Sequence, residues 1–272
     1  MASASEHSRK TPLTVITRIP YGRKRSERFS LLAADWKSRR RPLVIVIPGR
    51  WQQVQERTTY FAVARALVED GYTVALPEYC SLSLGWPQQL ADLQHAISVI
   101  SRESIALGGD PESLILWGDG LGAFLATQLV LALSRGIWLP LAPCTIKGWV
   151  AIDAVWAEES IQHLASRHPL RQLFPEPKRW LEVKNSLAAG EMVPPGLIVH
   201  LSQQVSSGAS PAASQSSLTD LESFTYRALT SGNDITLIPR PEESKRIWRG
   251  ISRHDHPLRI TWRPWLHKVT GS

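Results

Sequence analysis

Five consecutive residues, Gly118-Asp119-Gly120-Leu121-Gly122, join an apolar run, Leu114–Trp117, to a stretch that repeats at helical spacing through Phe124, Leu125, Gln128 and Leu129 to about Ser134. Glycines at alternate positions permit a sharp turn from strand to helix. Such a turn lifts its central residue above the sheet, at the N-terminal end of the helix, where a nucleophile is well presented. A serine, cysteine or aspartate at that centre would be placed for attack on a carbonyl. The central residue is Gly120, which has no attacking atom. Asp119 stands one position too early and is expected to point sideways.

The other residue types that could do chemistry are scattered. Cys80 follows the end of a strand, on the side where open α/β sheets bind ligands, yet no histidine or cation is placed by sequence to activate it. His95 lies on a helix face beside Ala96 and Ile97, which suits a structural role. His163 and His168 lack a third ligand nearby, so no metal site is expected. His254-Asp255-His256 precedes Pro257 and reads as a surface turn. No cofactor is implied.

The elements that must hold these residues follow the pattern of a mostly parallel twisted sheet with helices on both faces. Strands are expected at Leu43–Ile47, Tyr72–Leu76, Leu114–Trp117, Lys147–Ile152, Leu197–Leu201 and Ile235–Ile238. Leu13–Arg18 and Arg28–Leu32 are expected to pair as an N-terminal hairpin. Arg57–Glu69 carries an apolar face and stops at Gly71, and a second helix opens at Pro87 and runs to Ile105. Ser206–Ser217 is loop by composition. No repeat or linker divides the chain, so residues 1–272 are expected to form one domain, with 1–12 as a flexible N-terminus and 255–272 as a possible C-terminal tail.

Of 272 residues, 43% are apolar and 20% charged. That balance excludes a disordered chain. Two cysteines give no disulfide framework and fit a reducing, cytoplasmic setting. No apolar run is long enough to span a membrane. The net charge of +7 is uneven: residues 9–41 carry eleven Lys or Arg against Glu27 and Asp35, residues 42–239 sum to −6, and 240–268 to +5. Arg23-Lys24-Arg25 and Arg39-Arg40-Arg41 could face an anionic partner, but neither run interleaves aromatics as a nucleic-acid motif would. A solvated edge is the plainer reading. Most of the eleven tryptophans are expected in the core or a pocket wall. Trp262-Arg263-Pro264-Trp265 either packs back on the body or anchors a partner.

Several segments in register resemble the α/β-hydrolase superfamily, in its esterase and arylformamidase-like branch. The resemblance runs from about Thr14 to Pro239. Ile19-Pro20-Tyr21-Gly22 is similar to the segment opening the first strands. Leu43–Trp51, LVIVIPGRW, resembles the strand and loop that read His-Gly-Gly-Gly-Trp in active relatives, and Leu67–Tyr79 and Gly108–Pro111 follow in order. The resemblance implies a Ser-His-Asp triad and an oxyanion loop, and each part departs from it. The nucleophile position is Gly120. The oxyanion loop, Pro48-Gly49-Arg50-Trp51, is one residue shorter, and Pro48 has no N–H to give. The acid position is Gln204, and 239–246 contains no histidine.

Coordinated loss of three triad positions implies a protein that no longer needs the chemistry. The leading expectation is a non-hydrolytic pseudoenzyme that binds a small hydrophobic molecule or a protein partner. A second is a lyase, cyclase or isomerase using Asp119, Glu78, His200 or Cys80 as acid–base groups. A third is a residual esterase or amidase with a rebuilt triad. Oligomeric state is unmarked.

Overall fold

The computed structural model describes residues 12–34, 40–49, 54–80, 86–138, 144–153, 192–201, 221–222, 225–226, 228–240 and 248–272. Eight strands form one sheet: β1 (Leu13–Pro20), β2 (Arg28–Ala34), β3 (Arg41–Ile47), β4 (Thr73–Pro77), β5 (Gly109–Asp119), β6 (Ile146–Ile152), β7 (Gly196–Leu201) and β8 (Ile235–Arg240). Their order is β1-β2-β4-β3-β5-β6-β7-β8. The pairs β1/β2 and β2/β4 are antiparallel and the rest parallel.

Side chains alternate across this sheet, so each strand feeds two cores. On β5, Leu114 and Leu116 join the core under α2 (Trp86–Glu103) and α3 (Leu121–Ser134). Ile115 and Trp117 join the opposite core, under α1 (Val54–Glu69) and α4 (Pro257–Thr270). A strand buried on both faces reads as a continuous apolar run, which is why LILW marks β5 so plainly. The helix α3 is apolar almost all round and mostly buried, as its place beside the turn from β5 demands.

Differences from the sequence expectation have local causes. The strand β5 begins at Gly109 rather than Leu114: its first residues pair with Arg41 and Pro42 before a register shift, and Pro111 concealed that extension. The helix α2 ends at Glu103, where a 3₁₀ turn, Ser104–Leu107, runs into Gly108 at φ 75°. Both hairpin strands run on past their expected ends, to Pro20 and Ala34. In β1 the register slips between Ile16 and Ile19, and within that slip Arg18 holds φ 60°. Such a bulge bends the strand and re-aims its side chains.

Residues 255–272 are no loose tail. The helix α4 is capped by His256, whose Nδ1 accepts from Leu258 N–H at 3.2 Å, and by Gly271 at φ 68°. A side-chain acceptor at one end and a left-handed glycine at the other satisfy backbone groups the helix leaves open. Leu258, Trp262, Trp265 and Leu266 are buried against the sheet. A charged lock fixes the helix to the end of α1. Asp70, its side chain wholly buried, accepts from Arg259 Nη2, from Arg263 Nε at 2.6 Å and from Trp262 Nε1 at 3.1 Å. Arg259, equally buried, also reaches Glu69 Oε2 at 3.1 Å and the Ser252 carbonyl at 2.9 Å. No helix among the described residues is long and apolar enough to cross a membrane.

A buried carboxylate that carries two guanidiniums leaves uncompensated charge when removed. Asp70→Ala is expected to cost about 3–5 kcal/mol in urea unfolding and to expose Trp262 and Trp265 to quencher. An unchanged midpoint would contradict the lock.

Candidate functional site

The sheet's parallel strands end together, and the turn after β5 lies at that edge between the ends of β3 and β6. Gly120 N–H donates to the Ile152 carbonyl at 2.8 Å, and the Gly120 carbonyl accepts from Phe124 N–H at 3.1 Å, which opens α3. Gly120 itself holds φ 54° and ψ -113°. That region is nearly closed to residues with a side chain.

Three other glycines are required by contact. A Cβ on Gly118 would lie 2.2 Å from the Gly122 carbonyl oxygen, and one on Gly122 would lie 1.9 Å from that of Ile47. A Cβ on Gly49 would meet the Asp119 carbonyl oxygen at 2.3 Å. Backbones of β3, β5 and α3 thus touch with no side chain between them. Above Gly120 the opposite holds: among the described residues an added Cβ has no heavy atom within 4 Å.

The polar groups around this opening are tied to one another. Gly49 N–H donates to Tyr60 Oη at 2.8 Å, and Tyr60 Oη donates to Asp119 Oδ2 at 3.0 Å. The N–H that an oxyanion loop would offer is engaged, and the Asp119 carboxylate faces α1. Tyr79 Oη donates to the Pro48 carbonyl. Burial raises the Tyr79 phenol above its ordinary range, so it stays a neutral donor.

Cys80 is buried, with its N–H on Asp92 Oδ2 at 3.0 Å. Burial first and the Asp92 carboxylate second push its thiol up to about 12. It is therefore no thiolate at neutral pH. Glu78 serves through its backbone, accepting from Tyr21 Oη at 2.6 Å and donating to the Arg28 carbonyl at 2.8 Å. His95 meets the Tyr21 ring edge to face. His254 and His256 lie apart from the opening, on Arg263 and at the α4 cap. His200 lies near the end of β7, buried; desolvation lowers its pKa, opposed in part by Glu222. Arg50, Trp51, Gln204, Asp220, His163, His168 and residues 241–247 lie outside the described residues. Among the described residues no three His, Cys, Asp or Glu side chains are grouped to hold a metal ion.

Sequence reading passed over two residues here. Tyr60 is one, since nothing in a helical aromatic foretells a bond to a residue 59 positions away. Asp153 is the other. It follows β6 directly, holds φ 53°, and donates its N–H to the Val199 carbonyl at 2.9 Å. An aspartate closing an apolar strand was the available signal, because Asp tolerates the left-handed region.

A family model described as BD-FAE matches residues 31–136. Esterase LipQ of Mycobacterium tuberculosis is 33% identical over 97 residues, which cover 35% of this chain and 23% of that relative. Among solved structures, esterase B from Lactobacillus rhamnosis aligns over 95% of this chain and 85% of its own, with a TM-score of 0.72 and 14% identity. A truncated carbohydrate esterase from gut microbiota aligns over 95% and 97%, with a TM-score of 0.70 and 14% identity.

Two measurements check this geometry. Gly120→Ala is expected to lose about 1–3 kcal/mol through backbone strain alone. Gly118→Ala and Gly122→Ala, which clash with backbone, should lose more in the same urea series, and the reverse ranking would contradict the packing. His200 resists protonation in the fold but not in the unfolded chain, so stability should fall as pH drops below about 6.5. That slope should shrink in His200→Gln; an equal slope would place the burden elsewhere.

Proposed function

The chain has the α/β-hydrolase fold in its esterase-like form, and from that premise we propose that it is a non-hydrolytic member of that fold which holds a small hydrophobic ligand over Gly120. One observation carries this reading: the turn keeps the conformation that presents a nucleophile, with no atom of the described residues within 4 Å of an added Cβ, at a residue without a side chain. In serine hydrolases, losing the nucleophile costs on the order of 10⁶ in kcat. What then remains comes from binding and the oxyanion hole, and here the Gly49 N–H is already occupied by Tyr60. The ligand class is that of uncharged acyl esters or N-formyl arylamines, bound intact. Two free thiols, one of them buried, suit a cytoplasmic setting.

A second reading is favoured by the Gly49–Tyr60–Asp119 chain of hydrogen bonds, which couples a phenol to a carboxylate beside the opening. A lyase or isomerase would use that pair as its acid and base.

The test is a panel of short-chain aryl esters and an N-formyl arylamine, with wild type and Gly120→Ser in parallel. Binding of non-hydrolysable ketone analogues is read by tryptophan fluorescence. Wild type should bind the analogues and turn over none of the panel; Gly120→Ser should at most acylate once. Sustained wild-type turnover would overturn the proposal.

A further inference from the structure

The turn between β1 and β2 sits at the same end of the sheet as Gly120. Tyr21 Oη reaches the Glu78 carbonyl past the end of β4, and the next residue, Tyr79, reaches Pro48 beside Gly49. The turn is braced from within. Arg28 Nη1 lies within hydrogen-bond distance of three of its carbonyls, those of Gly22 at 3.1 Å, Lys24 at 3.0 Å and Glu27 at 2.8 Å. The Glu27 carboxylate folds inward under Gly22, where a Cβ would meet its Oε2 at 2.1 Å. There it accepts from Lys24 N–H at 2.8 Å and pairs with Lys24 Nζ at 3.1 Å.

Arginine and glutamate are thus spent on the turn's interior, while Arg23 and Arg25 stand exposed at its tip. Neither has an ion-pair partner among the described residues. Arg18, also exposed and without an ion-pair partner among them, is turned out of the adjoining edge strand by the bulge at φ 60°. A non-glycine residue held there is strained, and no described contact of the side chain offsets it. Two apolar side chains of the same strand are also open to water, Val15 at 43% and Ile16 at 40%, one on each face of the sheet where they flank its edge.

We propose that this edge, Arg18, Arg23 and Arg25 with Val15 and Ile16, is a docking surface for an anionic lipid bilayer. Unpaired cations beside short exposed aliphatic side chains match the two needs of a headgroup region, electrostatic attraction and shallow apolar burial. Nucleic acid would call for interleaved aromatics, which this edge lacks. Three cations on a narrow tip and bulge suit a diffuse negative surface better than a fixed set of carboxylates. The surface stands apart from the reading above and does not depend on it.

Cosedimentation with vesicles tests the surface whether or not any ligand binds. Wild type should pellet with 7:3 phosphatidylcholine–phosphatidylglycerol vesicles at low salt, leave them at high salt, and ignore pure phosphatidylcholine. The triple variant Arg18→Asn, Arg23→Gln, Arg25→Gln should lose on the order of a hundredfold in partition coefficient, at about fivefold per cation. Val15→Thr with Ile16→Thr should weaken binding less and leave its salt dependence intact. Thermal melts establish that each variant folds. Equal binding to neutral vesicles, a triple variant that partitions like wild type, or binding to duplex DNA or polyglutamate without binding to anionic vesicles would each overturn the proposal.

Discussion

Backbone contact without side chains is the constraint from which the rest follows. Gly49, Gly118 and Gly122 let the ends of β3, β5 and α3 meet at distances that any Cβ would violate. Because the approach is that close, the chain can reverse from strand to helix within one residue. Gly120 is then projected above the sheet whether or not it carries a functional group. Elsewhere such a turn stores strain, since a side-chain-bearing residue in that region costs about 1–3 kcal/mol. Glycine at 120 relieves that strain and offers no attacking atom, so the turn stands as architecture.

The surrounding polar groups have settled accordingly. A working oxyanion hole keeps its N–H groups free for charge that develops during reaction. Here a tyrosine hydroxyl accepts from the Gly49 N–H and donates in turn to Asp119, and a second tyrosine takes the Pro48 carbonyl. These bonds stabilise the loop in its resting form. At the far end of α1, on the face of the sheet that Tyr60 enters, the Asp70–Arg259–Arg263 lock holds α4 against the second core, which keeps β5 buried on both faces.

How far the sequence foretold this depends on the range of the interaction. The parallel strands were readable because burial on both faces makes runs such as LVIVI and LILW continuous. The turn after β5 was readable because its glycines lie within five residues. The extension of β5 back to Gly109 was hidden by Pro111, and α4, which carries Pro264 inside it, stands where a tail was expected. Long-range pairs left no trace: Tyr60 with Asp119, and Asp70 with Arg259, 189 residues on. The empty position 120 was plain from the residue type. The occupied Gly49 N–H was not, since it depends on where a helix places one phenol, 11 residues later.

The central claim is that an elbow without a nucleophile still receives a ligand. A crystal structure of the protein soaked with a short aryl ester tests it most directly. The account predicts an uncleaved ester with its carbonyl over Gly120, and Tyr60 still bonded to Gly49 and Asp119. Cleaved products, or a space above Gly120 closed by the protein itself, would contradict it.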